Sequence, residues 1–336
     1  MVPFSIARGV NAPLNLNNPS AMAVNGTTLW ITNQLSSSLT AVNALTGALL
    51  RTVAPSDLGV GRPDAIVSTS NHLFVASVGG PLSELTTLGR HIRTMRPAGC
   101  SVTSSTRLAL VASTQLVELC SNGAVNLFST TTGTLIRSIR SATSHLNNAT
   151  AMTVVANKAF ITNVTASDSN DGVVEINLST GRWMATLSNT TNALFAFSSP
   201  MGIASDGHNL WVTNQTSQSV TEIALNGLSY VQTIDSGYGF YLPATVMAVP
   251  GTATSPTTVY VTSYDGPTWS MVTKFTSSAA APRTYGWMMC NTNDNYQFNN
   301  PTALALAGQS LWVINSANNL LDQLDPITGK LTATYA

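Results

Sequence analysis

The groups in this chain able to do acid–base, metal or thiol chemistry are few: 4 His, 14 Asp and Glu together, and 3 Cys in 336 residues. His72, His91, His145 and His208 have neither metal-ligand spacing nor a candidate nucleophile beside them, and each reads as solvated. The run Asp168-Ser-Asn-Asp171-Gly172 has the composition of a calcium loop. Its Gly comes one position early for an EF-hand and the closing Glu is absent, so it reads as a polar turn. Glu84, Glu175 and Glu222 would make a ring of carboxylates if one kind of element presented them together. No catalytic residue and no metal ligand follows from residue types alone; the elements that carry them decide what can cooperate.

Those elements are set by a repeat. One phrase recurs as Leu29-Trp-Ile-Thr-Asn33, Leu73-Phe-Val-Ala-Ser77, Leu116-Val-Glu-Leu-Cys120, Ala159-Phe-Ile-Thr-Asn163, Leu210-Trp-Val-Thr-Asn214, Val259-Tyr-Val-Thr-Ser263 and Leu311-Trp-Val-Ile-Asn315. A short apolar strand precedes each, often opened by a proline (Pro19, Pro63, Pro200, Pro243, Pro301), where no ladder donor is needed. A third strand follows and ends in a glycine turn, as at Gly47 and Gly181, and then comes a fourth. Four short strands at a period of about 40–50 residues, with no helical periodicity, predict an all-β seven-bladed β-propeller with four antiparallel strands per blade. The expected blades are 19–54, 63–96, 107–140, 149–187, 200–234, 243–286 and 301–336, in a single domain. Residues 1–18 read as an extended segment docking where the first and seventh blades meet.

A repeat is its own control, because a residue type that fills one slot in many blades belongs to the scaffold. Glu84, Glu175, Glu222, Lys274 and Gln323 share a slot on the third strand, which predicts a solvated outer position rather than a site. Trp30, Trp211 and Trp312 are expected core aromatics. The series Asn33, Ser77, Cys120, Asn163, Asn214, Ser263 and Asn315 is expected to hydrogen-bond the turn that follows it.

The phrase Leu-Trp-Val-Thr-Asn, followed by Val-x-x-Ile-x-x-x-Thr-Gly, resembles the NHL/YVTN-type propellers, a group that includes streptogramin lyase-like and surface-layer proteins. The resemblance covers nearly the whole chain and concerns blade-building residues, so it implies architecture and not function. The lyases of that group imply a catalytic His, a carboxylate and a divalent ion on one face of the ring; that set is not located on this sequence. In a propeller the fourth-to-first and second-to-third-strand connections share a face. Cys100 and Cys120 both fall there, so a disulfide in an oxidising compartment and two buried thiols are both open. Cys290, in the connection into blade seven, is expected to be unpaired.

Charged residues are only 8% of the chain and the formal net charge is 0. Nucleic acid, which demands a positive surface, is not an expected partner. No apolar run is long enough for a transmembrane helix, and the first residues lack a signal-peptide pattern. Solvation by Ser, Thr, Asn and Gln favours an extracellular or cell-surface location, and zero net charge favours self-association.

The connections on the shared face are long and unlike one another, and variable loops on a rigid scaffold are where function concentrates. Those around blades five to seven interleave aromatics with amides and carboxylates. Tyr238, Phe240, Tyr241, Asp265, Trp269, Trp287, Asn293, Asp294 and Tyr296 are therefore the candidate binding residues. Such a surface suits a protein partner or a second copy of the chain, and less strongly a carbohydrate; the structural reading is that the aromatics plug the channel mouth. The resulting expectation is a non-enzymatic extracytoplasmic binding or assembly module without a cofactor. The alternative is a lyase- or lactonase-like enzyme holding a divalent cation at the channel mouth.

Overall fold

The structure, a computed structural model, describes residues 13–100, 106–120, 122–140, 146, 148–165, 171–235, 238–252, 255–264, 266, 270–277, 284–290 and 296–336. The second strand of each blade is buried almost without interruption, the pattern of a strand covered on both faces. Thr28–Asn33, Lys158–Asn163 and Asn209–Asn214 are each buried over five consecutive residues. Outer strands such as Leu49–Val53 and His91–Met95 lie largely exposed. Pairing in chain order gives seven antiparallel sheets of four strands each, and the chain is an all-β seven-bladed propeller.

The inner strands are Pro19–Asn25, Pro63–Ser68, Thr106–Val111, Ala149–Val155, Pro200–Ser205, Pro243–Val249 and Pro301–Ala307. Blade six departs from expectation: its outer strand, Thr284–Cys290, runs on past residue 286. Trp287 pairs with Lys274 and Cys290 with Met271 in that ladder, so both are strand residues and not loop residues. The third strand, Met271–Ser277, is long enough to pair with the whole segment, and backbone pairing extends as far as a partner lasts.

The recurrent phrase has a hydrogen-bonding cause. Inner strands start with a register shift, at Pro19/Met22, Ala149/Ala151 and Pro200/Gly202. A bulge strands a backbone N–H, and the phrase threonine takes it. Thr32 Oγ1 accepts from Ala21 N at 2.9 Å, Thr162 Oγ1 from Ala151 N at 2.9 Å and Thr213 Oγ1 from Gly202 N at 2.8 Å. The asparagine does more than hold the next turn. Asn33 Oδ1 accepts from Asn17 N at 3.2 Å while Asn33 Nδ2 donates to Thr40 Oγ1 at 2.9 Å, joining the incoming connection to the third strand.

The core lies between blades, in clusters that each draw on two neighbours. Leu14 and Leu16 enter the cluster of blades seven and one beside Ile31, Trp312 and Leu321. Leu14 N donates to Ala336 O at 2.6 Å there, so the described part of the expected 1–18 segment does dock at the ring junction, while residues 1–12 lie outside the described residues. Long cations clasp turns of the next blade. Arg51 reaches Leu88 O, Arg93 reaches Thr131 O at 3.1 Å, Arg137 reaches Ser179 O at 2.9 Å and Lys274 reaches Pro326 O at 2.8 Å.

Candidate functional site

The beginnings of the inner strands ring a cavity of about 520 Å³ at the channel mouth, on the face that carries the variable connections. All seven blades line it, through Ser20, Asp64, Arg107, Met152, Met201, Thr245 and Thr302 among others. Its charges are one pair, Arg107 Nη1 with Asp64 Oδ2 at 3.6 Å, and Gln34 Nε2 donates to the other Asp64 oxygen at 3.0 Å. The remaining lining is amide, hydroxyl, methionine and aliphatic, with no histidine among the described lining residues. Such a pit can seat an uncharged hydrogen-bonding group; among the described lining residues no nucleophile is paired with a base.

Of the residues singled out in the sequence, Tyr241 stands exposed at 38%, next to the equally exposed Leu242. Tyr238 is half-buried and stacks on Phe240 with ring centroids 6.0 Å apart. Phe240 and Tyr296 are buried between blades. Phe240 is buried against Phe275, and Tyr296 stacks on buried Phe298 at 5.1 Å while its hydroxyl donates to Gly329 O at 3.0 Å. Neither faces the channel or solvent. Asp265, Trp269, Asn293 and Asp294 lie outside the described residues, and Trp287 is placed by its backbone alone.

The two buried rings belong to a pattern legible in the sequence once aligned on the inner strand. An apolar–x–apolar pair ends three residues before that strand: Leu14/Leu16 before Pro19, Leu58/Val60 before Pro63, Phe195/Phe197 before Pro200, Tyr238/Phe240 before Pro243, and Tyr296/Phe298 before Pro301. Apart from Tyr238, all are buried. Third-strand hydroxyls hold the wedge by its backbone, with Ser83 Oγ donating to Leu58 O at 2.6 Å and Thr221 Oγ1 to Phe195 O at 2.9 Å. Phe195, Phe197, Phe240, Tyr296 and Phe298 therefore fill gaps between blades.

The third-strand glutamates are also corrected. Glu84, Glu175 and Glu222 are buried, not solvated, because they lie across from Phe74, Phe160 and Trp211, the slot that each neighbouring blade covers. Each is balanced locally. Glu84 contacts Arg93 Nε at 2.7 Å and His72 Nδ1 at 3.1 Å, and Glu175 contacts Lys158 Nζ at 2.7 Å. Glu222 accepts from Gln232 Nε2 at 2.6 Å and Ser277 Oγ at 3.1 Å; burial raises its pKa and these bonds oppose the rise. One per blade, they cannot act together. His72 thus contacts Glu84 through Nδ1, whereas His208 is exposed, His91 Nε2 lies 3.1 Å from Thr94 Oγ1, and His145 is outside the described residues. Asp168 is outside as well. Asp171 is buried and accepts from Thr165 N at 2.6 Å and Ser199 N at 2.8 Å, tying blade four to blade five.

One further carboxylate escaped the sequence reading. Glu118, on the second strand of blade three, is buried beside Cys100 and Cys120, which are joined in a disulfide with Cα atoms 5.4 Å apart. Asn126 Nδ2 donates to Glu118 Oε2 at 3.1 Å. Burial pushes the Glu118 carboxyl up to about 7, against the pull of the Asn126 bond. No protein-family model matches the chain and no curated protein matches it; the structure shows a seven-bladed propeller and no particular family of them.

Proposed function

We propose that this chain is a non-enzymatic binding or assembly module of the NHL/YVTN type, working outside the cytoplasm. Its loop-rich face contacts another protein chain, copies of itself included, or a glycan. The observation that carries this reading is the channel mouth: a neutral, hydrogen-bonding pit of about 520 Å³ ringed by dissimilar connections and lined by every blade. Uncharged amides and hydroxyls match peptide groups and sugar hydroxyls alike, and exposed Tyr241 adds an amphipathic ring on the same face. The disulfide fits an oxidising compartment, and a surface with 8% charged residues and zero net charge opposes association weakly. The metal-dependent lyase or lactonase alternative needs ligands beside Asp64, and the described lining offers no second carboxylate or histidine.

Met201 sits at the same level of the lining as Ser20, Asp64 and Arg107, outside every inter-blade cluster. Met201→Arg is expected to leave the melting temperature nearly unchanged and to weaken contacts at the mouth by roughly tenfold or more. Sedimentation of the pure chain, pull-down from native extracts and a glycan panel would read this out. A strictly monomeric chain that retains neither protein nor glycan sinks the proposal. Binding that is indifferent to Met201→Arg moves the site away from the mouth.

A further inference from the structure

The repeat isolates one place where three departures coincide. The slot of Glu118 is filled in the other blades by Ile31, Val75, Ile161, Val212, Val261 and Val313, all fully buried. Cys120 stands where the others carry Asn or Ser, and Cys100 arrives on the connection from blade two. Asn126 lies directly across the ladder from Glu118, on the third strand. No blade-building role asks for a carboxylate here, and an apolar interior tolerates one only beside a cation or a proton. None of the ion pairs among the described residues involves Glu118.

Three groups able to ligate a metal meet here, two of them joined to each other as the disulfide. Ligating atoms of Cys100, Glu118 and Cys120 all lie within 4.8 Å of one another. Asn126 Nδ2 reaches Cys100 Sγ at 3.4 Å and Cys120 Sγ at 3.7 Å, besides its bond to Glu118. Glu118 Oε1 and Asn126 Oδ1 are buried without hydrogen-bond partners, so oxygen lone pairs remain beside the sulfurs. Cys120 and Glu118 are held on a central strand, while Cys100 lies partly exposed on the connection from blade two.

We infer that, with its cysteines reduced, this cluster is a Zn²⁺ site in which Cys100, Cys120 and Glu118 are ligands, and that the disulfide is its closed, metal-free state. Two thiolates and a carboxylate suit a borderline-soft tetrahedral ion, leaving the fourth position to Asn126 Oδ1 or water. Switching needs an external disulfide as oxidant. Each coordinated thiolate gives up one electron, the sulfur–sulfur bond forms between them, and the oxidant takes both electrons. With two protons it leaves as two thiols, and Zn²⁺ is released. The site is independent of the channel mouth, so Met201→Arg leaves it unchanged.

The test uses the full chain, reduced anaerobically with a phosphine, then titrated with Zn²⁺ and separately with Co²⁺. About one equivalent should bind, Co²⁺ giving the intense visible bands of tetrahedral thiolate coordination, and the oxidised chain should take up none. Cys100→Ser, in the exposed connection, should weaken uptake by about 100-fold, and Glu118→Gln by about 10-fold with an altered Co²⁺ spectrum. Circular dichroism of the metal-free variants checks that each still folds. A reduced wild-type chain that binds no Zn²⁺, or binds it as tightly after Cys100→Ser, would overturn the assignment.

Discussion

Asp322 shows what one buried group costs in this scaffold. It lies on the third strand of blade seven, opposite Val313, accepting from Asn315 Nδ2 at 2.9 Å and Thr334 Oγ1 at 2.6 Å. Burial raises its pKa from the ordinary 3.8 to about 6, and the two hydrogen bonds pull the other way. A carboxyl whose folded pKa exceeds its unfolded value contributes stability below the unfolded pKa and loses it as pH rises through the folded one. The loss across that window is at most about 3 kcal/mol. Asp322→Asn should therefore gain on wild type as the pH climbs from about 4 to about 7. Denaturant melts across that range decide it; an advantage that does not grow with pH refutes the assignment.

The third-to-fourth-strand turn is an element under two constraints at once. Gly47 adopts a φ of 70°, and a Cβ there would overlap the ring of Tyr335 at the end of blade seven. Gly227, in the corresponding turn of blade five, has a φ of 77° with open space around it. Both substitutions to Ala carry the left-handed backbone penalty of about 1–2 kcal/mol, but only Gly47→Ala adds the collision. Gly47→Ala is expected to cost at least about 1 kcal/mol more than Gly227→Ala. Equal losses in paired thermal melts would show that Tyr335 swings aside freely. The same turn of the next blade receives the clasping cations Arg51, Arg93, Arg137 and Lys274.

For the whole molecule the question is how the ring closes. Blade seven takes all four of its strands from the C-terminal end, so among the described residues no shared sheet joins it to blade one. Closure rests on side-chain packing around Leu14 and Leu16, on Leu14 N to Ala336 O, and on Asn18 N to Asn319 Oδ1 at 2.6 Å. Leu14 occupies the wedge position that Leu58 holds between blades one and two, and both are fully buried. If the junction is packed like the others, Leu14→Ala and Leu58→Ala should each cost about 2–5 kcal/mol. A negligible loss for Leu14→Ala alone would mean that the ring is held shut by something other than this wedge.

Seven blades, four strands in each and the scaffold role of the three tryptophans were all legible in the sequence. These follow from local periodicity, and local periodicity is what a strand records about its own two faces. The channel-mouth residues were not singled out, because Ser20, Asp64, Arg107 and Met201 hold a slot that varies in type from blade to blade and converges only when the ring closes. The burial of Glu84, Glu175 and Glu222, the contact of His72 with Glu84, and the wedge roles of Phe240 and Tyr296 came from tertiary structure alone. In each case the deciding neighbour sits on another strand or another blade, and a residue's own segment carries no record of what covers it. Glu118 falls between the two. Its oddness was written in the repeat, but its meaning required Cys100, Cys120 and Asn126 to be brought around it.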